Sequence, residues 1–580
     1  MKKIALLLGI MVLGFCFPAK GQWIPQSPST DKILESTPPE QLYVHVNSTL
    51  FFPGEYLLYK VYTIDGSVGK VKNISQIANV ELISETGEQI FLQKVSLENG
   101  VGQADFFVPT TVPSGNYKLI AYTNWMRNFG DTFFTQDVVI INPYQAQQKN
   151  LLKKRDNFPH FQDSPEFETT RDQRNLMSLN KEVYGNREKV PIEISTGSGN
   201  RKGNYSLSVR KVSQLPAIER VTAEQLVNSW QKVGVESNKF FLPEVRGQVL
   251  KGRIIPVNGE TGARLDDRHI SLSLPGEKMF PLIVATDEDG RFFFNLDQKR
   301  IEENIFLEIL GEGKEDFEIE LQKYEPLNFD PSQFSSYSLL PEMQEEILKR
   351  SIFNQIENAY FQVKPDTLVS ASRDTGFHKS IEVRYDLDDY KRFKTVPETF
   401  VEIIGSAWIR RNENGERVFE VRGLGNSINM EQLPMILIDG VLIQEHNDLI
   451  ELPAQNIKSI SIIRKKIFRG PQIFQGAILV QTNDEEFSNF YKKPYITHIQ
   501  LNRPEIKKKY FHQMYSDVNS EKRIPDYRYQ LLWMPNLEIN GSGETAELYT
   551  SDVNGEFEVV LEGFTEEGDP VSIRKTFSVQ

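Results

Sequence analysis

Apolar residues fall at every second position in short runs, and Gly, Pro, Asn and Ser interrupt the runs at regular intervals. Leu42–Asn47, Tyr56–Tyr62, Ala78–Ile83, Gly102–Val108 and Tyr117–Tyr122 have this form, with turn clusters at Glu85–Glu88 and Pro113–Asn116. A period of two sends one set of side chains into a core and the other set away from it, as strands require. Strands recurring every ~10–15 residues predict an all-β sandwich over residues 41–145.

Residues 22–40 are rich in Pro and Ser and read as a linker, and the polar stretch 146–180 reads as a connector. Alternation returns at Val190–Ile194 and Tyr205–Arg210, a partial sandwich over 181–240 that includes a short helix near Ala223–Val233. A further β-sandwich spans 241–328, from Glu244–Val249 through Ile270–Leu274 to an expected hairpin at Ala285–Phe294. Leu340–Tyr360 is the best helix: Pro341 opens it, and Met343, Ile347, Leu348, Phe353 and Ile356 recur about once per turn along one side. That helix and a polar linker fill 329–395. A small mixed αβ unit follows at 396–484 and a C-terminal β-sandwich segment at 485–580. The fold class is mainly β.

The acidic turns Asp287–Gly290 and Asp552–Gly555 invite a calcium reading. A helix–loop–helix calcium loop needs more oxygen ligands and a Glu at its twelfth position. Here alternating apolar residues follow the glycine at once, so both read as hairpin turns in which Asp or Asn bonds its own backbone. Gly423-Leu-Gly425 is too short for a dinucleotide fingerprint. Asp386–Asp389 reads as a solvated loop, and Arg464–Lys466 and Lys507–Lys509 read as solvated faces, with a protein contact surface as the alternative.

The net charge of −13 argues against a general nucleic-acid or anionic-membrane binder, although a local basic patch remains compatible with it. The seven histidines (His45, His160, His269, His378, His446, His498, His512) form no HxH or HExxH pair, and Cys16 is the only cysteine. Neither a Cys-rich metal site nor a cysteine nucleophile is expected, and there is no GxSxG elbow. No residue stands out as catalytic, cofactor-binding or metal-ligating. At the N-terminus, Lys2 and Lys3 precede the apolar run Ile4–Phe17, with small residues at Ala19 and Gly21. This is the layout of a secretory signal peptide over 1–21, too short to span a membrane, and no later stretch is long and apolar enough to do so.

Three segments carry family resemblances. Tyr43–Val46, Phe52–Glu55, Leu57–Tyr62, Pro113–Tyr117 and Ala121–Gly130 resemble a macroglobulin-type domain of exported Bacteroidota proteins. The thioester of protease-trapping macroglobulins needs a Cys–Gln pair, which a chain whose one cysteine is Cys16 does not supply. Val245–Leu296 resembles the carboxypeptidase regulatory-like β-sandwich, which implies no peptidase activity. Phe400–Gly405, Val421–Gly423, Pro434–Val441, Leu452–Ile463 and Gly476–Thr482 resemble the plug of TonB-dependent receptors, with Pro434–Ile438 as a buried strand and Asp439-Gly440 as a turn.

A 22-strand receptor barrel needs 200 or more residues, whereas about 100 follow Thr482. The resemblance therefore implies a plug-like domain with no barrel of its own, and strands within 529–579 as completion of the sandwich begun at 183–210. The implied function is a non-enzymatic exported binding or scaffold protein, periplasmic or outer-membrane associated. It would act through protein–protein contact with an outer-membrane receptor, transporter or secretion complex, without cofactor or nucleic acid. The alternative is a polypeptide- or glycan-binding module, which an exposed aromatic platform at Trp125 or Trp533 would favour.

Overall fold

The computed structural model describes residues 30–130, 133–145, 176–195, 202–229, 240–257, 259, 264–275, 280–297, 303–323, 326–327, 333–335, 337–369, 381–424, 432–515, 524–540 and 543–580. The expected signal peptide, His160, His378 and Gly425 lie outside them. The chain divides into Met1–Pro38 and Pro39–Gln580. In the first unit helix α1 (Thr30–Ser36) falls inside the segment read as a linker.

The first sandwich pairs a three-stranded sheet with a five-stranded one. β1 (Glu40–Val46) lies beside β3 (Tyr56–Asp65) and β6 (Val101–Phe107). The facing sheet runs β2 (Leu50–Phe51), β8 (Phe134–Ile140), β7 (Gly115–Tyr122), β4 (Ile77–Ser84), β5 (Gln89–Ser96). Leu42, Val44, Tyr59, Val61, Val80, Leu119 and Val138 fill the space between them. Burial at ~25 cal/mol per Å2 of apolar surface is the driving term.

The second sandwich is closed by strands from two stretches more than three hundred residues apart. β9 (Met177–Leu179), β10 (Val183–Tyr184), β11 (Lys189–Ile194) and β12 (Gly203–Lys211) supply one half. β31 (Gln530–Ile539), β32 (Glu544–Tyr549), β33 (Gly555–Thr565) and β34 (Pro570–Val579) supply the other. The sheet orders are β10-β34-β33-β12-β31 and β32-β11-β9. The strand Met177–Leu179 thus belongs to this sandwich and not to the connector. Helix α2 (Ala223–Asn228) starts at a capping box between Thr222 and Gln225.

The third sandwich sets β16 (Arg291–Leu296), β13 (Gln248–Pro256) and β18 (Phe317–Leu321) against β15 (Leu282–Ala285), β14 (His269–Ser273), β17 (Asn304–Leu310) and β29 (Ile496–Gln500). β29 comes from the stretch read as the C-terminal segment. It pairs with β17 from Asn304 opposite Gln500 to Glu308 opposite Ile496.

The Asp287 turn closes locally, its Oδ1 accepting from the backbone of Asp289 (3.0 Å) and Arg291 (2.8 Å), whereas Asp552, among the described residues, bonds not its own turn but Arg187 and the Asp526 N–H (3.1 Å). These are the acidic turns expected to be hairpins. Their flanking strands, however, lie in opposite sheets, β15 from β16 and β32 from β33. They are sheet-switching turns rather than hairpins, because each flanking strand finds its hydrogen bonds elsewhere.

Helix α3 (Gln344–Ala359) follows a 3-10 turn at Pro341–Met343. Met343, Ile347 and Phe353 of the expected apolar side pack against the sandwiches, but Leu348 does not. Leu348 is 59% exposed, while Arg350 and Ser351 are buried. The reason is an ionic anchor on the first sandwich, described below.

The mixed unit has the sheet β20 (Val383–Asp386), β25 (Ile457–Ile463), β28 (Ala477–Thr482), β23 (Met435–Ile438), β24 (Val441–Ile443). β20 falls in the stretch read as linker. Its short hairpins are β21 (Ala407–Arg411) with β22 (Arg417–Val421), and β26 (Ile467–Arg469) with β27 (Gln472–Phe474). One face packs on α4 (Val396–Glu402) and α5 (His446–Ile450) through Phe400, Phe419 and Leu449; the other packs on Ile283 and Leu310 of the third sandwich. Burial on both faces explains why Met435–Ile438 is continuously apolar. Asp439 (φ 49°) and Gly440 (φ 87°) both take the positive φ of a tight β23–β24 hairpin turn.

Candidate functional site: a buried polar seam and an exposed mixed sheet

Alternation along β1, β3, β12 and β33 sends one set of side chains into each sandwich core. The other set also finds protein instead of water. On β1 and β3, Tyr43 stands opposite Tyr62 and His45 opposite Lys60. On β12 and β33, Ser206 and Ser208 lie beside Glu562 and Val560. These outer faces meet, so the polar residues of both sheets are buried in one seam.

Every buried polar group needs a partner or it costs free energy of order 1–3 kcal/mol. Tyr43 donates to Glu562 Oε2 (2.9 Å), and the Tyr62 hydroxyl donates to the Glu562 carbonyl and meets Ser206 Oγ (both 3.1 Å). Ser206 Oγ also meets His45 Nδ1 at 2.6 Å, and Lys60 bonds the Asn204 side chain. Asn47 donates to Gln530 Oε1 at 3.0 Å. Glu562 Oε2 further accepts from Ser572 Oγ (2.7 Å) and from the backbone N–H of Ala223 at the start of α2 (3.1 Å).

The electrostatics follow from burial. Desolvation pushes the Glu562 carboxyl up to about 7, outweighing its hydrogen bonds to Ser572, Ala223 and Tyr43. Desolvation also holds His45 and Lys60 well below their usual values. A cavity of about 10 Å3, room for one water, lies among Tyr43, His45, Arg220, Thr222 and Glu562. His45 Nε2 has no hydrogen-bond partner among the described residues.

At one end of the seam Glu55 from the Phe52–Glu55 turn meets two arginines. Arg350 Nε and Nη2 donate to its Oε1 and Oε2 at 2.8 and 2.7 Å, and Arg210 Nη2 to Oε2 at 3.0 Å. Burial alone would raise this carboxyl; Arg350 and Arg210 together bring it below the ordinary value. Asp526 is held by Arg528 (2.6 Å), with Lys364 3.6 Å away.

The residues singled out in the sequence do not converge. Asp552 is bidentate to Arg187 (2.7 and 2.6 Å), and Asp386 and Asp388 pair with Arg384 and Arg392. Lys507 and Lys508 bind Glu98 and Asp105 of the first sandwich, an internal contact and not a solvated face. His269 meets Gln472, His446 accepts from the Phe419 N–H, and the His498 ring lies tilted against Phe306, 3.9 Å between ring centres. Among the described residues no three His, Cys, Asp or Glu side chains group to hold a metal. Trp125 and Trp533 are both buried, so neither ring offers a ligand platform.

An open cleft of about 490 Å3 lies along Gln500–Ile506, with Glu303 and Leu368 on its walls. No described helix is long and apolar enough to cross a membrane. Single-sequence reading missed the seam, because Asn204, Ser206, Ser208 and Arg210 alternate as a solvent-facing set would.

The fold class these elements define is a mainly β, multi-sandwich chain. No protein-family profile matches the chain, and no curated protein matches it in sequence. Solved structures similar to it include Escherichia coli alpha-2-macroglobulin activated by porcine elastase, at 10% identity and TM-score 0.24, covering 93% of this chain and 44% of that one. Salmonella alpha-2-macroglobulin reacted with methylamine gives 11% identity and TM-score 0.24, covering 94% and 40%. The native conformation of the E. coli protein gives 11% and 0.23, covering 93% and 40%. The chain spans less than half the length of those proteins. Overlays this loose carry no weight for arrangement or activity, and the architecture rests on the strand pairings above.

Proposed function

We propose that the chain is a non-enzymatic, exported binding or scaffold protein of the cell envelope, accessory to an outer-membrane TonB-dependent receptor, transporter or secretion complex. The observation that carries this reading is where the buried charges go. Glu55, Arg210, Arg350 and Glu562 join one module to another, so that the sandwiches form a stiff support. The mixed unit, whose sequence resembles a receptor plug, rides on that support through Ile283 and Leu310. Its sheet ends on one side in the edge strand β20, a place where a partner strand can add. The described strands of 483–580 are β29, β30 (Lys508–Lys509) and those of the second sandwich. Export rests on the basic and apolar layout of residues 1–21, and the outer-membrane partner on the plug resemblance.

The glycan- or polypeptide-binding alternative loses its support with the burial of Trp125 and Trp533. The test is purification of the tagged chain from the detergent-solubilised envelope of its own cells, followed by mass spectrometry. A stoichiometric outer-membrane barrel protein is expected. Recovery of the chain alone in the soluble fraction would overturn the proposal.

A further inference from the structure

The strands of the mixed sheet fix two ends with opposite character. β23 and β28 run parallel and β25 runs antiparallel to β28. The starts of β23 and β28 and the finish of β25 therefore lie at one end of the sheet, from which the β26–β27 hairpin emerges. There Phe468 stands directly across from Ile473, and the two are 62% and 41% exposed. Lys465 and Lys466, just before the hairpin, are exposed and in no ion pair among the described residues. The hairpin is held firmly: Arg464 donates to the carbonyls of Arg422 (2.9 Å) and Gly423 (3.1 Å), and Arg469 lies 4.5 Å over the Phe280 ring. Gly470 sits so close to Ile283 that a Cβ there would collide with its carbonyl.

At the other end β28 finishes at Thr482 and leads into Asp484, Glu485 and Glu486, all exposed and in no ion pair among the described residues. The short helix α6 (Phe487–Phe490) follows, and its Phe490 is 77% exposed. This corner is also held. Asp439 accepts from the N–H of Thr482 (2.8 Å) and of Phe487 (3.3 Å). The six residues of β28 separate the two ends by roughly 20 Å at ~3.3 Å per residue.

One rigid sheet thus displays a lysine pair with exposed apolar side chains at one end, and three carboxylates with an exposed aromatic at the other. We propose that two copies of this chain associate head to tail, the Lys465–Ile473 hairpin of one against the Asp484–Phe490 corner of the next. The two surfaces match in both charge and apolar character, and in a chain of net charge −13 the lysine pair is the minority sign. A heterologous contact leaves one free end of each kind, so copies add on until a rotation closes a ring. Two or three apolar side chains a side is far less than a standard interface, so the contact is weak and is screened by salt.

Sedimentation velocity of the full chain tests this across micromolar concentrations, at low and at high salt. Growth with concentration is expected at low salt, with reversal at high salt. Lys465→Ser with Lys466→Ser removes one end, and Glu485→Gln with Glu486→Gln removes the other. Each double variant alone is expected to remain monomeric, and a one-to-one mixture to form a dimer and stop there, since only one matched pair of ends remains. Phe490→Ser, at an exposed position that leaves the fold intact, is expected to weaken association several-fold. A monomer at every concentration in low salt overturns the proposal, as does association that both double variants leave unchanged.

Discussion

Arg350 on α3 grips Glu55 of the first sandwich with two parallel hydrogen bonds, 2.8 and 2.7 Å, in a site where both side chains are buried. The same carboxylate takes a third bond from Arg210 of the second sandwich. One acidic residue therefore ties together two sandwiches and a helix, and the geometry explains why α3 turns its arginine inward and Leu348 outward. Buried ion pairs are poor evidence of stability, because desolvation offsets much of the attraction. Their effect is on arrangement: a buried charge left alone is costly, so the modules are held where the partners meet.

Glu55→Gln leaves Arg210 and Arg350 buried without the carboxylate they both bond. Breaking a buried pair from one side costs about 3–5 kcal/mol. Arg350→Met, in contrast, leaves Glu55 with Arg210 and the Phe52 N–H (3.3 Å), and is expected to cost less. Urea unfolding of both variants checks the order; equal losses would mean that Arg210 contributes nothing.

Glu562 gives a pH signature. Its carboxyl titrates near 7 when folded, against 4.5 as the ordinary value, so between those pH values the folded chain holds a proton that the unfolded chain has released. Stability then falls as pH rises across that window, by about 3 kcal/mol in all, since each pH step of one is worth about 1.36 kcal/mol per proton. His45 acts in the opposite direction: held well below 6.5, it stays neutral in the fold, and its contribution is lost as pH falls below 6.5. Glu562→Gln removes only the first effect. The stability difference between variant and wild type is expected to move in favour of the variant from pH 5 to pH 8, and a flat difference would contradict the assignment.

The strands were legible where one face met solvent or a module's own core, and the alternation in Tyr56–Tyr62 and Tyr205–Arg210 located β3 and β12. Local pattern could not show that the polar half of β12 faces Tyr62 and His45, because the two sheets are joined by contacts more than a hundred residues apart. The same limit applies to α3. Its periodicity identifies a helix and brings Met343, Ile347 and Phe353 into contact with the sandwiches, but the burial of Arg350 in place of Leu348 depends on Glu55, nearly three hundred residues earlier. The acidic turns at Asp287 and Asp552 were legible as turns from their Asp and Gly, while the sheet each flanking strand would join was not.

Segment 502–510 seals two sheet edges of the first sandwich. Glu505 N–H bonds the Lys94 carbonyl on β5 (2.7 Å), and the Asn502 side chain bonds that of Leu92 (3.1 Å). On β6, Gln103 reaches the Lys508 carbonyl, and Asp105 takes Lys508 and the Tyr510 hydroxyl (2.8 and 3.2 Å). Unpaired edges template aggregation. Glu505→Pro removes one N–H at a global cost of about 1 kcal/mol. Hydrogen exchange by mass spectrometry is expected to show faster exchange in β5, with aggregation at high concentration; unchanged exchange would mean the segment is not a seal.

Asp439 combines two demands at one position. Its backbone sits at φ 49°, and its carboxylate is bonded by the Thr482 N–H and hydroxyl and by the Phe487 N–H. Asp439→Ala loses all three bonds and leaves a residue poorly suited to positive φ, which together cost about 2–4 kcal/mol. Asp439→Asn tolerates the backbone and keeps a carbonyl acceptor, so a smaller loss is expected. The two variants also separate stability from geometry. If Asp439 holds the Asp484–Phe490 corner in place, limited proteolysis should cut the Ala variant near Phe490 sooner than the wild type, even at temperatures where both remain folded. Equal cutting would show that the corner holds its position without Asp439.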